Sequence, residues 1–552
     1  MKVSDLFVQA LEQEGVKYVF GVPGEENQDL LFSLASSSIT FVPTRHESGA
    51  AFIADVWGRL TGDAGVCLAT LGPGATNLIT GVADANSDKS PLVAITGQGN
   101  VTRLHHESHQ LIDVVSMYKP ITKWSTSIST PNVVTESVRK AFKLAEFEKP
   151  GATHIELPED IASLEAKDDI QPIKPQRVRR AAADYKAIRS SVELLQEAKR
   201  PLIIAGNGAV RKLASKHLTD FATDFNIPVA GTFMGKGALS DKLSQSLGSI
   251  GLGFKDYVLQ AVEQADLVIT VGYDIGEYSP EKWNPKNDKK IIHVDFIPAE
   301  VYNNYQPDVE VVCDISDAFW QLQQEMHKDD VSFEQDWYIP ARDQIREDIK
   351  SYDYTEDSKL SVPGTLNLIR ELMDDDGLLI SDVGAHKMWI ARNFPTYVPN
   401  GTIIGNGFCS MGISLPGGIA AKLVSPDRQV IAAMGDGGFM MNSQELETAK
   451  RLGVGYTVVV FNDNDYGLIS WKQRMNTGGK ETSTKLTNPD FKAYAESFGI
   501  AGYAPETPSE LQETLEHTLS SGELAVVEVK IDPSVNQALF DKMKDYYNKK
   551  GE

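Results

Sequence analysis

Strand-like apolar runs alternate with helix-like amphipathic patterns along nearly all 552 residues, and that alternation implies parallel α/β sheets. In the first third the runs Tyr18–Phe20, Thr40–Pro43, Val66–Ala69 and Leu92–Ile95 are separated by helical patterns. A polar stretch with two prolines, 166–188, breaks the rhythm and reads as a linker. A second α/β unit occupies 189–330, with strands at Leu202–Ala205, Leu267–Val271 and Ile291–Val294. Residues 331–360 are charged and aromatic without a clear core and read as a connector. A third unit, 361–532, runs through Leu378–Ser381, Val430–Met434, Tyr456–Phe461 and Ala525–Lys530, and 533–552 is a lysine-rich tail. The expected fold is α/β, with three doubly wound parallel-sheet domains, the first spanning 1–165.

Composition narrows the function classes. The 53 Lys and Arg against 76 Asp and Glu leave a formal charge of −23. Such a balance disfavours nucleic acid and anionic membrane as partners, while a small anionic substrate needs only a local positive site. No stretch approaches the roughly 18 uninterrupted apolar residues of a membrane span. The first residues enter an amphipathic helix pattern without a secretory signal. Cys67, Cys313 and Cys409 lie far apart, with neither metal nor redox spacing, so a cytoplasmic location is expected.

Gly435-Asp436-Gly437 follows the run Val430–Met434, and Asn462-Asp463 follows Tyr456–Phe461. Both runs read as buried parallel strands that deliver polar residues at their carboxyl ends, where open α/β sheets take ligands. Two such Asp side chains can share a divalent cation, and Gly435, Gly437 and Gly438 let backbone N–H groups approach a phosphate. Alone, the same residues also describe a turn after a core strand. Gly21-Val22-Pro23-Gly24 follows the first strand and is equally a tight turn. Glu47 opens a helix, where a carboxylate compensates the dipole. Leu71–Asn77 is a glycine-rich helix start able to take an anion or admit a ring to the backbone. His105, His106 and His109 surround Glu107, one residue short of the His-Glu-x-x-His spacing, so they read as a surface loop.

Taken together, these motifs resemble the thiamine diphosphate (ThDP)-dependent 2-oxoacid family over essentially the whole chain. Within it they are most similar to the FAD-independent, catabolic acetolactate synthases, since Val271–Tyr278 lacks the Arg-Phe-Asp-Asp-Arg segment of FAD-containing synthases. The resemblance implies a pyrimidine-binding domain (1–165), a central domain (189–330) and a diphosphate-binding domain (361–532). It implies Glu47 as the carboxylate facing N1′ of the aminopyrimidine, with Pro73 and Asn77 lining that ring beside Pro23 and Gly24. Asp436 and Asp463 become side-chain ligands of magnesium, and Asp465 lends a backbone carbonyl. Gly384, Ala385 and His386 become a loop on the diphosphate. Met411 becomes the wedge that bends the cofactor, and Cys409 is a packed small residue whose carbonyl meets the 4′-amino group. Gln110 lies near the thiazolium, and Tyr466, Gly467 and Leu468 open the segment that selects the acceptor.

The implied reaction joins two pyruvates into 2-acetolactate with loss of carbon dioxide; a 2-oxoacid decarboxylase or a different carboligase is the alternative. A homodimer or homotetramer with active sites at subunit interfaces is expected, and FAD is not. Gly206-Asn207-Gly208 reads as a structural turn. Two departures stand out: Glu25-Glu26-Asn27 after the first turn, and Lys472 where related synthases favour tryptophan or glutamine. A lysine there either pairs with an acceptor carboxylate or faces solvent.

Overall fold

A computed structural model describes residues 1–536 apart from 168, 177, 179, 212, 252–256 and 330. Most of the expected 533–552 tail therefore lies outside the described residues. Three six-stranded sheets are present, and every strand pairing within them is parallel.

The first sheet holds β1 (Tyr18–Gly21), β2 (Thr40–Pro43), β3 (Gly65–Ala69), β4 (Leu92–Gln98), β5 (Trp124–Ser127) and β6 (Ala152–Pro158) in the order β2-β1-β3-β4-β6-β5. The second holds β7 (Pro201–Ala205), β8 (Val229–Gly231), β9 (Ser246–Ser249), β10 (Leu267–Val271), β11 (Lys290–Asp295) and β12 (Val309–Val312), ordered β12-β11-β10-β7-β8-β9. The third holds β13 (Leu378–Ser381), β14 (Thr402–Ile404), β15 (Val430–Gly435), β16 (Thr457–Asn462), β17 (Ala501–Tyr503) and β18 (Ala525–Lys530), ordered β14-β13-β15-β16-β18-β17. The first and third sheets thus share one winding, and the second has the winding of dinucleotide-binding sheets. Their central strands are Val-, Ile- and Ala-rich and buried from end to end, as strands covered on both faces must be. Each fully buried Val, Ile or Leu contributes about 1.5–3 kcal/mol.

Chain order and compactness divide the molecule differently. One compact unit comprises residues 1–178, 407–427 and 440–455; the other comprises 179–406, 428–439 and 456 onward. Excursions from the third domain's sequence thus complete the first unit, where the Ser414–Val424 helix packs on the Glu47–Thr61 helix. The described residues of the 166–188 stretch lack regular structure until the Tyr185–Glu197 helix begins. The 331–360 connector differs from expectation: it contains the helix Ile339–Lys350, and Tyr338 and Ala341 join a buried cluster of the second unit. Its charged residues hid a helix that buries only one narrow face. Among the described residues no helix is long and apolar enough to cross a membrane.

Candidate active site

In the first unit the site grows from two helix starts. The Glu47–Thr61 helix is capped by His46, whose Nδ1 accepts from Ser48 N at 3.1 Å, and it ends at Gly62 in the left-handed region. Its residues Ala50–Ala54 and Val56 are buried, which fixes the helix and so fixes Glu47. Glu47 is only 8% exposed, and Asn77 Nδ2 donates to its Oε2 at 3.0 Å. Asn77 projects from the Pro73–Ser87 helix, which starts with exposed Pro73 after Gly72. Gly72 is at φ +54°, and a Cβ there would stand 2.7 Å from the Gln110 carbonyl oxygen. The glycine therefore lets the 110 loop close on the helix start, which brings Gln110 to the group around Glu47. Pro23 is exposed and Gly24 packs against Thr70.

Cys409 and Met411, both half-buried, belong to the same unit. Cys409 adopts φ +61°, a conformation a non-glycine residue rarely takes. Asp84 accepts from Ser410 N at 3.1 Å and Asp88 from Gly407 N at 2.7 Å, so the 407–411 segment hangs from two buried carboxylates. Neither aspartate was singled out from sequence; they look like ordinary polar positions of a helix.

In the second unit, Asp436 directly follows β15 and Asp463 directly follows the neighbouring β16, with Gly435 opposite Phe461 in the ladder. Asp436, Gly437 and Gly438 form the first turn of a helix rather than a turn between elements. Tyr466 covers Gly437, and Asp463 lies against Gly467. Leu468 is half-buried, and Lys472 is exposed one turn further on. Burial beside Asp436 and Asp465 pushes Asp463 up to about 7, and burial also raises Asp436. Asn488 went unnoticed in the sequence, being a polar loop residue without a motif. Its Nδ2 donates to Asp436 Oδ2 at 2.6 Å, Asn462 Oδ1 at 3.0 Å and Asn464 Oδ1 at 3.2 Å. Asp465 Oδ2 accepts from Lys485 Nζ at 3.0 Å.

Gly384, Ala385 and His386 correct one expectation: they are no loop, because Gly384 caps the helix Ala385–Asn393 and the other two form its first turn. His386 is buried against Phe461, and burial lowers its imidazole to about 3, so the ring is neutral. Its Nε2 is buried without a hydrogen-bond partner. A neutral ring with an unpartnered nitrogen, its Nδ1–Cε1 edge against Gly435 and near two helix starts, fits an anionic group. Neighbouring carboxylates raised by burial, Asp463 further by the charges of Asp436 and Asp465, fit a cation in the same way. Among the described residues no group of three or more His, Cys, Asp and Glu side chains could by itself hold a metal, so the histidines at 105–109 form none.

At the carboxyl ends of β7 and β10 the segments around Gly208 and Gly272 pack directly on each other. Gly208 N donates to Gly272 O at 2.9 Å and Gly206 N to Val271 O at 2.8 Å. A Cβ on Gly272 (φ +54°) would stand 2.4 Å from Gly208 Cα. Asn207 N donates to the Glu277 side chain at 3.3 Å, and Asn207–Val210 forms a short 3-10 helix.

Comparison with known proteins agrees with this geometry. Three family models match: the thiamine pyrophosphate enzyme N-terminal TPP binding domain over 1–117, the central domain over 188–322 and the C-terminal TPP binding domain over 382–529. The chain belongs to the thiamine pyrophosphate enzymes. Among similar thiamine pyrophosphate enzymes, the acetolactate synthase of Bacillus subtilis (strain 168) is 33% identical, covering 97% of this chain and 94% of its own length. The catabolic acetolactate synthase of Raoultella terrigena is 34% identical, covering 98% and 97%. A probable acetolactate synthase large subunit of Methanocaldococcus jannaschii is 33% identical, covering 97% and 92%. The three sheets thus correspond to the N-terminal, central and C-terminal domains of this family.

Proposed function

We propose that this enzyme joins two pyruvates into 2-acetolactate with release of carbon dioxide, using ThDP held with magnesium and without flavin. The observation that carries the reading is the buried Glu47 carboxylate, fixed through one oxygen by Asn77. Relatives named acetolactate synthase, similar over nearly the full chain, support the substrate. The close packing of Gly208 on Gly272 in the central sheet, where a dinucleotide would need backbone approach, supports the lack of FAD.

ThDP, when bound, supplies the electron sink that lets a 2-oxoacid lose carbon dioxide and its remaining two-carbon unit join a second carbonyl. Glu47 takes up and returns a proton at Oε1, because Oε2 is engaged by Asn77. Asp436 and Asp463 would hold the cation by their side chains, and Asp465 by its carbonyl. The helix starts at Ala385–His386 and Asp436–Gly438, with Gly384 and Gly435, would hold the diphosphate through N–H groups and the neutral His386. Pro23, Gly24, Pro73, Cys409 and Met411 would shape the pocket for the pyrimidine. Tyr466, Gly467 and Leu468 would line the cofactor, and Gln110 and Lys472 would act on the substrates. The pyrimidine-binding, central and diphosphate-binding parts would span 1–165, 189–330 and 361–532, in a cytoplasmic homodimer or homotetramer.

The test is turnover of purified protein with pyruvate, ThDP and magnesium, without FAD, with products resolved by NMR. Acetolactate is expected. Acetaldehyde alone, or a requirement for flavin, would overturn the reading.

A further inference from the structure

Glu445 is a buried carboxylate that none of the roles above uses. It is fully buried, at the start of the Glu445–Leu452 helix and inside the first compact unit. Its Oε1 accepts from Arg45 N at 3.1 Å and from His46 N at 3.0 Å. Its Oε2 accepts from Arg45 N at 3.2 Å and from Thr448 Oγ1 at 2.6 Å. Arg45 and His46 are the two residues before Glu47, where the chain turns into the helix and two orphan donors need acceptors. A Cβ on Gly49 would stand 2.6 Å from Glu445 Oε1, so the carboxylate lies directly on the first helical turn. The same short segment holds a second element. Asn442 Oδ1 accepts from Ser48 Oγ at 3.3 Å, and its Nδ2 donates to Gly412 O at 3.0 Å. Residues 442–445 thereby touch the chain on both sides of Glu47 and immediately after Met411.

We propose that Glu445 is a positioning residue: its carboxylate clamps the backbone of Arg45 and His46 and thereby sets the direction in which Glu47 faces. The proposal rests on the role of Glu47 given above. What matters is the placement of Oε1, which both donors share, rather than the charge. Loosening the clamp lets the helix start shift, and displacement of a reacting group by about 1 Å can cost on the order of 100-fold in rate.

The experiment compares Glu445→Gln with Glu445→Asp in the full-length, ThDP- and magnesium-loaded enzyme. Gln keeps an acceptor oxygen at the same reach, whereas Asp keeps the charge but withdraws it by one methylene. The Gln variant should retain kcat within about threefold, and the Asp variant should lose about tenfold or more with KM for pyruvate little changed. The reverse order, or equal kcat for both variants, would overturn the proposal. A second arm follows amide hydrogen exchange in the cofactor-free protein. The Arg45 and His46 amides should be protected in wild type and in Glu445→Gln, and should exchange faster in Glu445→Asp. Unchanged exchange across all three would also overturn it. If the wild type forms no acetolactate, the functional reading fails by itself, and the exchange arm still decides the clamp.

Discussion

A glutamate that is 8% exposed, with one oxygen tied to an amide, is a different reagent from a surface glutamate. Replacing it with glutamine preserves the bond from Asn77 and the shape of the pocket but removes the exchangeable proton. Glu47→Gln should therefore keep ThDP affinity in calorimetry while losing about 10²–10⁴-fold in turnover. Retained turnover would contradict the proton role. Cys409 raises a separate question, since φ +61° disfavours any side chain and a β-branched one most. Cys409→Val should lower stability by about 1–2 kcal/mol in denaturant melts, and Cys409→Gly should not. The sequence pointed to Glu47, Asp436 and Asp463 because motifs mark them. It was silent on the left-handed Cys409, on Asn488 and on Glu445, because a backbone angle or a contact between distant segments leaves no local pattern.

At the scale of elements, polar residues do structural work that charge counting overlooks. Asp55 and Arg59 on the Glu47–Thr61 helix meet Asp84 and Asp88 from the Pro73–Ser87 helix and its end, beneath the N–H groups of Gly407, Phe408 and Ser410. Burial raises all three carboxyls, with Arg59 opposing it. Carboxyls raised in the folded state bind protons more tightly there than in the unfolded chain. Their stabilising effect is present at low pH and fades as pH climbs from about 4 towards 7 and above. Asp84→Asn, which keeps an acceptor for Ser410 N, should raise the melting temperature more at pH 8 than at pH 5. An equal shift at both would refute the charge strain. In the second sheet, Gly208→Ala would drive a methyl to 2.6 Å from Gly272 Cα. It should cost about 1–3 kcal/mol in thermal melts, whether or not FAD is added. Long Val- and Ile-rich strands were legible in the sequence by their continuity. Short or polar ones such as β5, β9 and β17, and the connector helix, were not, because their burial comes from neighbours that the chain meets only after folding.

For the whole molecule, the three-part alternation foretold three parallel sheets, yet not that compactness would cut across them. The resemblance implies an active site that takes Glu47 from one subunit and Asp436 and Asp463 from another, and on the proposed function a monomer should then be inactive. Sedimentation velocity at assay concentration should show a dimer or larger; a fully active monomer would refute the shared site. The interleaved units also bear on biosynthesis. Residues 1–178 leave the ribosome before the segments that complete their packing, the last of which ends at 455, 277 residues later. At about 5–20 residues per second, that delay is roughly 15–55 s. Until residue 424 has been made, one face of the Glu47–Thr61 helix lacks the Ser414–Val424 helix that packs on it. The nascent chain thus carries an uncovered helix face until the later helix emerges, a natural target for chaperones.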